Sequence, residues 1–179
     1  MRDTARWLMT FAVFLFATTP AGATCSRPNY DLIYCEPLST MDTTCWTYSG
    51  NADWINSGSC YPAARFTGGG AGDVYQDTDA NLPGYNFSAQ YTIDINDPHH
   101  SYNDEIEIDV LDASNSQWLA NIAIHSGGDG DISCHTYNVD LGYHPSWSGK
   151  TLRVEIYSYQ TYSNVTFKVG GVHLWQLTG

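Results

Sequence analysis

From about residue 61 onward, apolar and polar residues alternate in segment after segment, and this period of two dictates what the chain can fold into. In NFSAQYTIDI (86–95), Phe87, Ala89, Tyr91, Ile93 and Ile95 fall on one side, with Ser88, Gln90, Thr92 and Asp94 on the other. Successive side chains of a strand point to opposite faces, so each such segment buries one face and wets the other. EIEIDVL (105–111) sets Ile106, Ile108 and Val110 inward, and TLRVEIYSY (151–159) does the same with Leu152, Val154 and Ile156. WLANIAIH (118–125), CHTYNVDL (134–141) and VTFKVGGVHLWQL (165–177) complete the series. No stretch carries the 3.6-residue apolar period of an amphipathic helix. Short alternating strands with Gly, Asn, Asp and Pro turns between them predict an all-β fold, an antiparallel β-sandwich.

Antiparallel strands taken in order gather alternate connections at the same end. The loops 96–104 (NDPHHSYND), 126–131 (SGGDGD) and 161–164 (TYSN) then share one rim, and the turns 113–117 and 142–150 share the other. The first rim collects Asp97, His99, His100, Tyr102, Asp104, Asp129, Asp131 and Tyr162. Loops held by a rigid scaffold are where binding groups concentrate.

The start of the chain predicts its compartment. Arg2 and Arg6 precede an apolar stretch from Trp7 to Ala17, and Ala21-Gly22-Ala23 supplies small residues for cleavage. This is the pattern of a secretory signal peptide over 1–23, and the apolar run is too short for a membrane span of about 20 residues. The expected product is a secreted, extracellular chain with a Cys-rich N-terminal segment (24–60) and the sandwich over 61–179. Its formal charge moves from −12 to −13, because two arginines and one aspartate leave with the leader. So acidic a surface repels phosphate backbones and anionic membranes, which argues against nucleic acid as a partner.

Five cysteines follow the leader: Cys25, Cys35, Cys45, Cys60 and Cys134. Exported proteins keep disulfides, and the absence of a C-x-x-C pair gives a zinc site no support. Cys25, Cys35, Cys45 and Cys60 are the disulfide candidates, with Cys25–Cys35 and Cys45–Cys60 among the possible pairings. Cys134 is left over as a buried thiol.

Beyond these patterns, a series of short passages carries a resemblance. NADW (51–54), GGAGDVYQD (69–77), LPGYNFSAQYTI (82–93), NDEIEIDVLDA (103–113), YNVDLG with WSGKTLRVEIYS, and the terminal VTFKVGGVHLW occur in order from about residue 50. Together they resemble the galactose-binding-like jelly-roll family, which includes many carbohydrate-binding modules. The resemblance implies a jelly-roll sandwich, a structural calcium and a capacity for sugar. Val169-Gly170-Gly171-Val172 departs from it, standing where the family usually has acidic calcium ligands. Calcium needs several oxygen donors, and Asp129 and Asp131 in the SGGDGD loop are the alternative candidates for it.

The run NDEIEIDVLD sets Glu105, Glu107 and Asp109 on alternate positions of one strand. It is similar to the Glu-x-Asp-x-Glu strand of retaining laminarinase-like glycoside hydrolases. That likeness would make Glu105 the nucleophile, Glu107 the helper and Asp109 the acid/base. Retention requires two carboxyl groups about 5–5.5 Å apart, and here Glu and Asp are exchanged at the second and third places. The simpler expectation is a solvated strand face, with Arg153 and Lys168 on later strands as ion-pair partners.

Exposed aromatic rings are the stronger functional signal, because sugar rings stack on flat aromatic faces while a few polar groups fix orientation. The candidates are Tyr102, Trp118, Trp147, Tyr157, Tyr159 and Tyr162. His99-His100, with Asp97 and Asp104 nearby, offers a weaker transition-metal constellation. Asn86-Phe87-Ser88 and Asn164-Val165-Thr166 have the form of glycosylation acceptors. The expected function is carbohydrate binding without catalysis. The alternatives are an adhesion or structural domain with an extracellular protein partner, and a small retaining glycosidase using Glu105 and Asp109.

Overall fold

The computed structural model describes residues 31–33, 45–58, 60–80 and 86–177. The segment 1–23, Cys25 and Cys35 lie outside them. Ten strands form the fold: β1 (Thr47–Gly50), β2 (Ala52–Ile55), β3 (Ala63–Thr67), β4 (Gly70–Ala80), β5 (Asn86–Asn96), β6 (Glu105–Asp112), β7 (Gln117–Ser126), β8 (Ile132–Tyr143), β9 (Thr151–Gln160) and β10 (Thr166–Leu177). They pair antiparallel into two five-stranded sheets, a first of order β1-β4-β9-β6-β7 and a second of order β2-β3-β10-β5-β8. From β3 on, every connection except β6 to β7 crosses from one sheet to the other. The fold is an all-β antiparallel sandwich, as the alternation requires.

Each inward set named from the sequence is buried. Phe87, Ala89, Tyr91, Ile93 and Ile95 of β5 meet Ile106, Ile108 and Val110 of β6 and Leu152, Val154 and Ile156 of β9 in one core with Phe66, Phe167, Val169 and Leu174. Burying one such large apolar side chain contributes about 1.5–3 kcal/mol. Two strands begin earlier than the alternation shows. β1 and β2 lie in the stretch expected to precede the sandwich, and Trp46 just ahead of them is 1% exposed in the core.

The cysteine expectation requires correction. Cys134 is bonded to Cys60 across 74 residues, with Cα atoms 5.2 Å apart, so it is neither free nor left over. Cys45 is disulfide-bonded as well, and not to Cys60. The bridge ties the β2–β3 loop to edge strand β8. Gly170 permits that loop to lie close, since a Cβ there would come within 2.8 Å of the Pro62 carbonyl oxygen. The register of β10 shifts just beyond, between Gly170 and His173, and Gly171 takes a φ of +54°. The Gly-Gly pair that departs from the acidic family pattern is therefore a bulge.

Candidate functional site

The outer face of the first sheet is built by the same alternation that fills the core. With Ile106, Ile108 and Val110 inward, Glu105, Glu107 and Asp109 must point outward along β6. On the neighbouring β9, Tyr159 lies opposite Glu105, Tyr157 opposite Glu107, and Glu155 opposite Asp109. Directly opposed residues bring their Cβ atoms within about 5 Å, so both tyrosines flank the acidic row. Tyr157 and Tyr159 are 40% and 50% exposed.

Strand β7 closes the other side. Its pairing with β6 slips twice, between Ile108 and Asp109 and again between Val110 and Leu111. The first slip turns Asn121 toward Asp109, and the second returns Trp118 to the outer face opposite Leu111. Bulges re-aim side chains in this way. Trp118 donates its indole N–H to Asp109 Oδ1 at 3.3 Å, and Asn121 Nδ2 donates to the same oxygen. The indole ring itself stays 56% exposed.

The acidic row faces outward, as the solvated-face reading expects, yet it is not simply wet. Asp109 is only 9% exposed. Desolvation raises all three carboxyl pKa values above their ordinary range, and the charge on the next acid raises those of Glu105 and Glu107 further. Hydrogen bonds from Trp118, Glu107 and Asn121 oppose the rise at Asp109. The three acids thus stand in sequence along the strand, each one's pKa depending on its neighbour. Glu155 is raised too, by desolvation and then by Asp73. The cations expected to pair with the row are engaged elsewhere. Arg153 binds Asp77 through Nε at 2.6 Å and lies 4.0 Å over the Tyr75 ring. Lys168 is on the second sheet, 2.6 Å from Asp94.

The expected rim assembles at the Glu105 end of this face. Asp131 accepts the Asp97 N–H at 3.0 Å, and the Asp97 carboxylate accepts from His99 and Ser101. Gly127 is required beside it, since a Cβ would collide with the Asp97 carboxylate. Asp104 is fully buried; its Oδ1 accepts the Thr161 and Tyr162 N–H groups, and its Oδ2 has no partner. His99 stacks on Tyr162 at 4.1 Å and reaches Asn164 Oδ1 at 2.8 Å. Tyr102 is 74% exposed over Gly128. The rim aromatics Tyr102 and Tyr162 thus stand at one end of the face that carries Tyr157 and Tyr159.

The calcium candidates accept backbone N–H groups, Asp129 that of Ser126 in its own loop and Asp131 that of Asp97 in the neighbouring one. Among the described residues, no group of three His, Cys, Asp or Glu side chains converges. Trp147 is a correction. It is 2% exposed, stacked on His144 at 4.0 Å and tilted against Phe87 at 4.8 Å, so it is packed in the core and is not the exposed ring that the sequence suggested. A short 3-10 turn, Pro145–Trp147, folds this ring inward from what the sequence shows only as a loop. Sequence reasoning also missed Asn121 and Glu155, because their place depends on bulges and on the partner strand.

No protein-family model matches the chain, and no curated protein matches it in sequence. Solved structures match it in shape. A family 61 carbohydrate-binding module in complex with β-1,4-galactotriose is 11% identical, with 85% of this chain and 100% of the module covered and a TM-score of 0.53. The C-terminal family 22 carbohydrate-binding module of the Clostridium thermocellum xylanase Xyn10B is 10% identical over 84% of this chain and 96% of the module, also at 0.53. A xylan-binding family 22 domain is 10% identical over 83% of this chain and 97% of its own, at 0.51. The chain has the jelly-roll β-sandwich fold of carbohydrate-binding modules.

Proposed function

We propose that this is a secreted, non-catalytic carbohydrate-binding domain whose site is the outer face of the first sheet. One observation carries the reading: three exposed rings, Trp118, Tyr157 and Tyr159, share that face with the half-buried polar groups of Glu105, Glu107 and Asp109. The rings offer stacking surfaces for sugar, and the carboxyl groups accept hydrogen bonds that fix its orientation. The likeness of fold to carbohydrate-binding modules supports the assignment, and the leader pattern and the Cys60–Cys134 bridge support export. Hydrolysis is the less favoured reading, because Asp109, its acid/base, is only 9% exposed and its Oδ1 is already engaged by Trp118 and Asn121. A glycan array probed with the leader-free protein tests the proposal. A hit that Tyr157→Ala and Trp118→Ala both weaken is expected; the absence of any hit, or a hit that neither substitution changes, overturns the assignment.

A further inference from the structure

The acidic row sits between the rings that the carbohydrate-binding reading makes the contact surface, and the inference here rests on that reading. Glu105, Glu107 and Asp109 run along β6, Tyr157 and Tyr159 flank them on β9, and Trp118 caps Asp109 from β7. Glu155 and Asp73 add two further carboxylates on β9 and β4, with Asp73 opposite Tyr157. The cation on this face, Arg153, is held by both oxygens of Asp77. Among the described residues, Glu105, Glu107 and Asp109 take part in no ion pair.

A ligand covering this face removes water from five clustered carboxyl groups. A neutral saccharide supplies hydroxyl donors but no charge, so desolvation and like-charge repulsion both grow on binding. A ligand bearing an ammonium group on a stackable ring offsets both, and charge-assisted hydrogen bonds are the stronger kind. We infer that the face selects a cationic glycan, a polymer of amino sugars whose nitrogen is not acylated. The rings stack on its pyranose faces, and the row from Glu105 to Asp109 takes its ammonium groups.

The test compares fully deacetylated glucosamine oligomers with N-acetylated oligomers of equal length, by titration calorimetry on the leader-free protein at low ionic strength. The deacetylated oligomer is expected to bind about tenfold or more tightly, in line with close charge pairs at interfaces, and to weaken as salt is added. Glu107→Gln, which preserves shape, and Glu105→Gln are each expected to remove most of that preference. Tyr157→Ala is expected to weaken both ligands alike. Equal affinity for the two oligomers, or preference for a neutral glycan, overturns the charge inference and leaves the carbohydrate reading standing. A preference that survives both Glu substitutions also overturns it. Binding to a lysine-rich peptide but to no oligosaccharide overturns the inference and the carbohydrate reading together.

Discussion

The two outer faces of the sandwich come from the same period of two, yet their polar groups are arranged in opposite ways. On the second sheet they satisfy one another. Lys168 neutralises Asp94, Arg65 neutralises Asp53, Gln90 bonds Asn138 at 2.7 Å, and Thr92 bonds Thr136 at 2.8 Å. His173 stacks on Trp175 at 5.1 Å and reaches Asp31 at 2.6 Å. On the first sheet, the central acids have one another and uncharged donors for company, and the rings between them remain open. A face whose groups are already paired has little to offer a ligand. A face with partly desolvated carboxyls and exposed aromatics keeps that capacity, at some expense of stability.

The largest effect separates structure from surface most sharply. Trp147 and Trp118 are the same residue type, one 2% and the other 56% exposed. Trp147→Ala leaves a cavity against Phe87 and His144 and is expected to cost about 3–5 kcal/mol by chemical denaturation. Trp118→Ala is expected to cost under about 1 kcal/mol while weakening glycan binding. Equal costs at the two sites would erase the distinction. Next in size is the bridge on the second sheet. Replacing Cys60 and Cys134 with serine opens a closure of 74 residues and is expected to lower stability by about 2–4 kcal/mol. Glycan affinity should be unchanged, because the bridge ties a loop to β8 of the second sheet while the rings stand on the first. A loss of binding in the folded double variant would mean that the second sheet contributes to the site.

How much of this was legible beforehand follows from what alternation encodes. Period two assigns inside and outside, so the core residues of β5, β6 and β9 and the outward stance of Glu105, Glu107, Asp109, Tyr157 and Tyr159 could all be read from the chain. It also placed the three loops of the rim together, because strand ends alternate whichever sheet a strand joins. It does not encode which strand lies beside which. Glu155 facing Asp109 and Arg153 being held by Asp77 depend on β9 lying between β6 and β4. Asn121 reaches Asp109 only through a bulge. β1 and β2 are four residues each, too short and too polar to show a period. Trp147 misled because a single 3-10 turn reverses the direction of a loop side chain. Cysteine count fixed neither pairing nor partner, since Cys60 and Cys134 meet only once the sheet has formed.

Lys168→Met probes the paired face at intermediate size. The Lys168 and Asp94 side chains are 19% and 12% exposed, so taking the ammonium away removes the ion pair from a largely desolvated carboxylate, which keeps the Cys134 N–H. The expected cost is about 1–3 kcal/mol, with glycan binding unaltered. A variant as stable as the parent would show that this pair, too, is screened like an ordinary surface contact.

The smallest effect is on the acidic row itself, and its sign is opposite. Glu105, Glu107, Asp109 and Glu155 all have pKa values raised in the fold, in each case first by desolvation. The groups facing Glu107 are Glu105 and Asp109 on its own strand and Tyr157 and Glu155 on β9, with Asp73 behind Glu155 on β4. A raised carboxyl binds its proton more tightly when folded than when unfolded. Its contribution is therefore most favourable at low pH and declines as pH rises from the ordinary carboxyl range through the raised value. Asp112, held down to about 2 chiefly by its hydrogen bond from Lys150, behaves in reverse and loses its contribution as pH falls toward that value. Glu107→Gln keeps a neutral side chain at every pH. It is expected to be slightly more stable than the parent at neutral pH and to flatten the decline above the carboxyl range, while leaving the acid limb set by Asp112 in place. Denaturation midpoints across a pH series read this directly. A decline as steep in the variant as in the parent would mean that the row is as well solvated as any exposed acid, and that the two faces of the sandwich differ only in their rings.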